Sequence, residues 1–292
     1  MKVEQNISRL NYLLSLYGMT MDDLLSTINK GRKHLITQNE VFSKDIDISI
    51  LKKIDKIFDK GLHFYLDPKT LEQTAEASIF FRKNSFGTEL NIGARKIVTQ
   101  FEDFKISFSA IAKLADVNLN RNLPVYNIGQ SVKNVANQLR KLIYPNHQTK
   151  TRKDFLTAII GKLAERNILV FEFVETWNKK EKANIDGFFL CPNVIVLKRN
   201  QNAFNREIFT LLHELGHYLL NEEEIEQVDV LNTVNSNLSE VERWCNDFAY
   251  YFLAGDYSAI IDNMDMADAS NDYYHETIEE ISQKVNLSRI AL

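Results

Sequence analysis

Apolar residues recur every three to four positions along much of the N-terminal part of the chain, and this spacing predicts amphipathic helices. One apolar stripe runs through residues 3–17, and Gly18 ends it. Thr20 then stands where a helix N-cap is expected, and two aspartates follow in the first turn, where the helix dipole favours negative charge. A further stripe covers residues 48–58. The pattern therefore predicts an all-α N-terminal part.

The pattern changes after Pro124. Two more amphipathic stripes lead into a run of β-branched and aromatic residues at 168–175, which predicts a strand. Residues 185–191 and 194–199 have a similar composition, and Pro192-Asn193 between them is typical of a hairpin turn. Helices combined with three short strands predict an α+β fold that is mostly helical and has a small three-stranded sheet.

The chain of 292 residues is long enough for one large domain or two modest ones. We expect an N-terminal helical domain (1–70), a helical connector (71–124) and an α+β domain (125–292). The first residues lack the pattern of a signal peptide, and no apolar run is long enough to span a bilayer. The two cysteines, Cys191 and Cys245, form no C-x-x-C pair. We therefore expect a cytoplasmic protein with reduced thiols and no membrane contact.

The segment FTLLHELGHYLLN contains two histidines four positions apart. On an α-helix His213 and His217 are separated by about 40° and one turn, so both imidazoles can reach one metal ion. Glu214 lies about 100° from His213 and about 60° from His217, which suits contact with a water on the ion better than ligation. Zinc acidifies such a water, and a nearby carboxylate takes its proton during attack on a carbonyl. The spacing therefore predicts metal-dependent hydrolysis.

The same segment is also compatible with an ordinary amphipathic helix whose histidines face solvent or are hydrogen-bonded in the core. Gly216 weighs against that interpretation, because a mid-helix glycine costs up to about 1 kcal/mol relative to alanine. The cost is easier to understand where another backbone comes close. We therefore favour the metal site.

A catalytic zinc usually has three protein ligands, so the two histidines leave one to be found. Ser239 is a good N-cap for the next amphipathic segment, SEVERWCNDFAYYFLAG. Within it, Glu242 and Asn246 share one helix face, which favours Glu242 as the ligand and Asn246 as a partner that orients a ligand. Glu240 stays open as a second candidate, since glutamate is favoured in a first helical turn in any case.

Taken together, FTLLHELGHYLL and ERWCNDFAYYFLAG resemble the ImmA/IrrE family of zinc metallopeptidases, and the resemblance covers residues 125–292. It implies a zincin-like metallopeptidase domain with one Zn²⁺, or Mn²⁺, as cofactor. It also implies that His213, His217 and Glu242 are the metal ligands and that Glu214 is the general base. Cys245 departs from the family pattern, which usually has alanine there, and the Leu-x-Pro common after this helix is absent.

Residues 1–70 resemble the helix-turn-helix DNA-binding domain of XRE/Cro-type repressors, with a reading helix in GRKHLITQNEVF. The resemblance assigns DNA contacts to four polar side chains of this segment: Arg32, Lys33, Gln38 and Asn39. Such side chains bind phosphates or base edges. Eleven Lys/Arg against nine Asp/Glu in residues 1–70 give only a weak electrostatic footprint. A helical packing or protein-interaction domain is the alternative.

Zinc peptidases often use a histidine or tyrosine to stabilise the oxyanion. The segment NDYYHET offers His275 and Tyr273 as candidates, with Tyr274 beside them. Both oxyanion assignments are predictions from residue type alone.

Two functional hypotheses follow. The first is a zinc-dependent endopeptidase, and by resemblance its substrate is an XRE-type repressor whose cleavage switches on a stress, phage or mobile-element response. Residues 221–292 contain three Lys/Arg and sixteen Asp/Glu, a charge that is compatible with a basic, DNA-binding substrate. The second is a DNA-binding regulator or antitoxin-like protein that uses a peptidase-like domain for sensing or partner binding. The complete H-E-x-x-H motif favours the enzyme.

Overall fold

The computed structural model describes residues 1–71, 78–83, 89–145, 151–175, 182–199, 203–226, 238–264 and 272–289. The chain forms two compact units. The N-terminal unit is Met1–Ser85 with Asn91–Gln100, and the C-terminal unit is Phe86–Leu90 with Phe101–Leu292. The three-part division at residues 70 and 124 stays a prediction.

The prediction of an all-α N-terminal part is wrong in one respect, because this unit consists of short helices and one pair of antiparallel strands. Its elements in chain order are β1 (Lys2–Glu4), α1 (Ile7–Leu16), α2 (Met21–Asn29), α3 (Gln38–Val41), β2 (Asp45–Asp47), α4 (Ile48–Phe58), α5 (Leu62–Leu66) and α6 (Ile79–Arg82). The helix predicted from residue 3 begins only at Ile7, because Val3 pairs with Ile46 between β1 and β2. Asn6 then caps α1 by accepting the backbone N–H of Ser8.

The start of α2 follows the sequence prediction. The Thr20 side chain accepts the N–H of Asp23, and the Asp23 carboxylate accepts the N–H of Thr20, which together form a capping box. Gly18 lies between α1 and α2 with a φ of +58°, a conformation that glycine adopts without strain. Local signals therefore fix this helix boundary.

The C-terminal unit combines helices with one mixed sheet. A long helix, α7 (Ile92–Leu114), supplies residues to both units. The elements that follow are α8 (Val132–Ile143), α9 (Arg152–Ala164), β3 (Leu169–Phe173), β4 (Gly187–Leu190), β5 (Val194–Lys198), α10 (Phe204–Leu220), β6 (Ile225–Glu226), α11 (Glu240–Ala254), α12 (Ser258–Asp262) and α13 (Asp272–Lys284). Within the described ranges, every helix is too short or too polar to traverse a lipid bilayer.

The sheet has the strand order β3-β5-β4-β6. β3 and β5 are parallel, whereas β4 is antiparallel to both β5 and β6. The three predicted strands are present, and the predicted α+β class is confirmed. β6 is an additional strand that the sequence pattern did not reveal, because two residues are too few to show an alternation.

Helices cover the sheet on both faces. On one face Phe101 of α7 packs against Phe171 and Phe188, with ring centroids 6.2 and 6.1 Å apart. On the other face α10 contacts β4 and β5, and it also contacts α9 and α11. Every residue of α10 from Glu207 to Leu220 is buried. The helix with the H-E-x-x-H motif is therefore central to the core of this unit.

Candidate metal centre

The first turn of α10 is tied to the sheet by a buried ion pair. Glu207 on α10 is 3% exposed, and its Oε2 lies 3.0 Å from Nε of Arg199, directly after β5. The backbone N–H of Arg199 donates to the carbonyl of Phe173 at the end of β3. These contacts fix the position of the first turn of α10 on the sheet. They therefore also fix the position of its two histidines relative to the strands.

The last turn of α10 is held by the segment before α8. Asn221 adopts a left-handed conformation and ends the helix. The guanidinium of Arg121 stacks on the ring of Tyr218, 3.8 Å from its centroid, and donates to the carbonyl of Leu219. Tyr126 donates its backbone N–H to the same carbonyl. Arg121 and Tyr126 therefore both donate to one terminal carbonyl of the helix, and the charge of Arg121 is favourable at this end of the helix dipole.

Gly216 lies where α10 crosses α11. A Cβ at this position would be 3.0 Å from both Cα and Sγ of Cys245 on α11. Such distances are shorter than nearly all normal contacts, so a side chain here would push α11 away by a few tenths of an ångström. The structure thus shows the close backbone approach that explains a mid-helix glycine, and the crossing brings one face of α11 against the histidines.

The N-terminus of α11 aims one glutamate at the interior. Ser239 caps this helix by accepting the backbone N–H of Glu242 at 3.1 Å. Glu242 is buried, whereas Glu240, two residues earlier, is exposed. Of the two candidates that spacing left open, the structure brings only Glu242 towards α10.

Three side chains from α10 and α11, those of His213, His217 and Glu242, meet in a triangle. Nε2 of His213 lies 3.1 Å from Nε2 of His217 and 3.2 Å from Oε2 of Glu242, and Nε2 of His217 lies 3.1 Å from Oε1 of the same carboxylate. All three side chains are buried. Among the described residues this is the one group of histidine, cysteine and acidic side chains with the proximity that a metal ion requires.

The closest distances between these three side chains are near those that a tetrahedral zinc ion needs. With zinc bonds of roughly 2.0–2.2 Å to nitrogen and oxygen, two ligand atoms of a tetrahedral site lie about 3.3–3.4 Å apart. The observed distances are a few tenths of an ångström shorter. Two imidazoles and one carboxylate are also the ligand set of known catalytic zinc sites with one open position. The residues therefore fit a zinc ion.

The expected protonation states also suit a metal. Burial lowers the pKa of His217, which favours the neutral imidazole that binds metal ions. Burial raises the pKa of Glu242, but hydrogen bonds with His213 and His217 outweigh it and hold that pKa well below its ordinary value. A neutral imidazole beside an ionised carboxylate is the combination that a cation stabilises.

Asn246 orients one of the two histidines. Its Oδ1 lies 2.9 Å from Nδ1 of His213. An amide oxygen can only accept, so Nδ1 carries a hydrogen, and Nε2 is the nitrogen that can bind a metal ion. Asn246 thus has the position of a residue that fixes the tautomer and ring orientation of a ligand.

Glu214 is the residue after His213, and its carboxyl group is 2% exposed. Burial raises its pKa well above the ordinary value of 4.5, and the negative charges of Glu242, Glu224 and Asp186 raise it further. A divalent cation in the triangle would act in the opposite direction and favour the carboxylate. The site can therefore hold an acid–base group whose protonation is sensitive to the metal.

Of the two candidates for the oxyanion, only His275 has a described side chain. His275 is exposed on α13. The side chain of Tyr273 lies outside the described residues. Their assignment to the oxyanion stays a prediction.

The segment predicted to hold the DNA-reading helix is mostly irregular. Only Gln38–Val41, which includes Asn39, is helical, and Thr37 caps that turn together with Glu40. Arg32 and Lys33 precede it in the loop, whose far end is fixed by paired hydrogen bonds between Asn29 and Ile36. The DNA contacts of these residues stay a prediction.

Two residues beside Glu214 carried no signal in the sequence. Gly187 on β4 faces α10, and a Cβ there would be 3.1 Å from Cγ of Glu214. Thr210 lies one turn before Glu214, and the same Cβ would be 2.8 Å from its Cγ2. Neither position stands out from its neighbours in the chain, because its importance arises from the packing of β4 on α10.

Comparison with known proteins finds one similarity, to a peptidase family, in this part of the chain. A family model of the M78 peptidases, described as the IrrE N-terminal-like domain, matches residues 164–291. The match includes α10, α11 and the His-His-Glu triangle but not residues 1–70. No curated protein and no solved structure matches the chain.

Proposed function

We propose that the C-terminal unit is a zinc-dependent endopeptidase. The buried triangle of His213, His217 and Glu242, with Glu214 beside it, carries the proposal. The match of residues 164–291 to a peptidase family supports it. His213, His217 and Glu242 would hold the ion. Bound there, zinc supplies a Lewis acid and acidifies a water.

The chain's own residues would perform the remaining chemistry. Asn246 keeps His213 in one tautomer and orientation. Glu214 accepts a proton from the attacking water and transfers it to the amine that leaves the scissile peptide bond. Burial of Glu214 separates this proton from bulk solvent, which strengthens its interaction with the reacting atoms.

The proposed substrate is a transcriptional repressor of the XRE type, and its cleavage would switch on a stress, phage or mobile-element response. Support comes from the resemblance to ImmA/IrrE peptidases and from the acidic charge of residues 221–292. Because an acidic surface attracts basic proteins, that charge favours encounter with a DNA-binding substrate.

The test compares the wild-type chain with Glu214→Gln. Both proteins are purified in the presence of zinc, their metal content is measured, and XRE-type repressors encoded near the gene are incubated with each. We expect equal zinc content and loss of repressor cleavage in Glu214→Gln. Glu222→Gln, an exposed glutamate after α10, is the matched control and should cleave normally.

Three results would contradict the proposal. A wild-type protein that holds no divalent metal after metal-replete purification has no such centre. Bound zinc without cleavage of any repressor would instead favour a regulator that uses the domain for sensing. Cleavage by Glu214→Gln at the wild-type rate would remove Glu214 from the mechanism.

A further inference from the structure

Two of the buried oxygens on α10 that have no hydrogen-bond partner among the described residues lie one helical turn apart. They are Oγ1 of Thr210 and Oε2 of Glu214, and their side chains are 1% and 2% exposed. An unpaired buried polar group destabilises a fold, whereas valine would fill the place of Thr210 without that cost. The hydroxyl of Thr210 therefore needs an explanation other than packing.

Other hydroxyls on helices of this chain have an ordinary partner. Thr27, Thr99, Thr157 and Ser107 each donate to the carbonyl four residues earlier, at 2.8–3.0 Å. This back-bonding is the usual arrangement for threonine and serine within a helix. Thr210 has no such bond. Its hydroxyl is therefore left for a partner outside the helix backbone.

Thr210 and Glu214 face the same point on the sheet. They are four residues apart on α10, so their side chains are neighbours on one helix face. Helical side chains lean towards the preceding turn, which brings the Glu214 carboxyl group towards Thr210. Both side chains approach Gly187, whose missing Cβ would lie 2.8 Å from Cγ2 of Thr210 and 3.1 Å from Cγ of Glu214.

We propose that Thr210 is a positioning residue for Glu214. Its hydroxyl donates to a single bridging water, which donates in turn to the Glu214 carboxylate, and Gly187 leaves the space for both side chains. The bond holds the carboxylate in one orientation relative to the histidines. The catalytic consequence rests on the proposed peptidase function, whereas the contact itself does not.

The first test uses two substitutions that separate the hydroxyl from the methyl group. Thr210→Val keeps the shape and removes the donor, and Thr210→Ser keeps the donor and removes the methyl. With an XRE-type repressor as substrate, we expect kcat to fall about tenfold in Thr210→Val, with KM and zinc content unchanged, because the water-bridged hydrogen bond to a charged group is lost. Thr210→Ser should stay within about twofold of wild type.

The outcomes of this test are distinct. Wild-type kcat in Thr210→Val would overturn the proposal. Equal losses in Thr210→Val and Thr210→Ser would also overturn it, because the methyl group and not the hydroxyl would then be responsible.

A second test needs no substrate. The thermal unfolding midpoint is measured for the zinc-loaded wild type, Thr210→Val, Glu214→Met and the double variant. Methionine keeps an unbranched side chain but offers no carboxylate. Because the hydroxyl has its partner only when Glu214 is present, we expect Thr210→Val to lower the midpoint in the wild type and to raise it in Glu214→Met.

The same shift in both backgrounds would show that the two residues are independent and would overturn the contact. If the wild type cleaves no repressor, the peptidase proposal fails, but this cycle still decides whether Thr210 and Glu214 are coupled. The failures of the two proposals are therefore distinguishable.

Discussion

At the scale of single residues, the direction of one side chain separates a ligand from a surface charge. Glu240 and Glu242 are both in the first turn of α11, where the helix dipole favours either. Only Glu242 is buried and within 3.2 Å of both histidines. The pair is therefore an internal comparison for metal binding.

We expect Glu242→Gln to weaken zinc binding by more than the roughly 10–100-fold typical of losing a residue that only orients a ligand. Glu240→Gln should bind zinc as the wild type does. Competition with a chromophoric chelator gives both affinities. Comparable losses in the two variants would mean that net charge, and not ligation, controls the binding.

Glu214 gives a prediction about pH in the metal-free protein. Its pKa is raised in the fold above the ordinary 4.5. As pH rises past that value the unfolded chain loses this proton and the folded chain keeps it, so the free energy of unfolding falls until the folded pKa is reached. Each pKa unit of elevation corresponds to about 1.4 kcal/mol.

Glu214→Gln removes this pH-dependent loss of stability, because glutamine does not ionise. We expect the variant to gain stability over the wild type progressively as pH rises above 4.5 in the presence of a chelator. Denaturant titrations between pH 4 and pH 8 measure the difference. The exposed Glu222→Gln should show no such trend. A stability difference that is independent of pH would contradict a buried, protonated Glu214.

At the scale of elements, the crossing of α10 and α11 sets the position of the ligands. We expect Gly216→Ala to destabilise the protein, because overpacking against Cys245 costs about 1–3 kcal/mol and the gain in helix propensity returns at most about 1 kcal/mol. Zinc affinity should fall with it, since α11 must move away. Thermal unfolding and zinc titration measure the two effects.

Two variants control this prediction. A Cβ added at Gly161 on α9 would have no neighbouring atom within 4 Å, so Gly161→Ala should be neutral or stabilising. Cys245→Ala removes one of the close atoms, so it should restore part of the stability of Gly216→Ala. An unchanged Gly216→Ala protein would show that the crossing tolerates a side chain.

Elements whose signals are local could be predicted from the sequence. The cap at Thr20 and the histidine spacing on α10 depend on neighbouring residues alone. To predict that Glu242 lies near the histidines, it was also necessary to know which face of α11 it shares with Asn246. By contrast, β1 and β6 exist only because a partner strand lies beside them, and Thr210 matters because β4 packs on its turn. Such contacts join distant parts of the chain and leave no periodic pattern.

At the scale of the whole molecule, a metal ion in the triangle would act as a cross-link between α10 and α11. The ligands come from both helices, and the unfolded chain does not hold them together. We expect zinc to raise the unfolding midpoint, with a stabilisation of about 4 kcal/mol when free zinc is 1,000-fold above Kd. Calorimetry with and without chelator measures the effect, and Glu242→Gln should remove most of it.

The burial of α10 on all sides has a consequence for isotope labelling. Its residues from Glu207 to Leu220 have no route to solvent except through opening of the core, so their amide deuterium uptake should be among the slowest in the C-terminal unit. Zinc should slow it further in α10 and in α11, but not in the exposed turn at Glu222. The metal-dependent part of that protection would map the centre without any knowledge of the natural substrate.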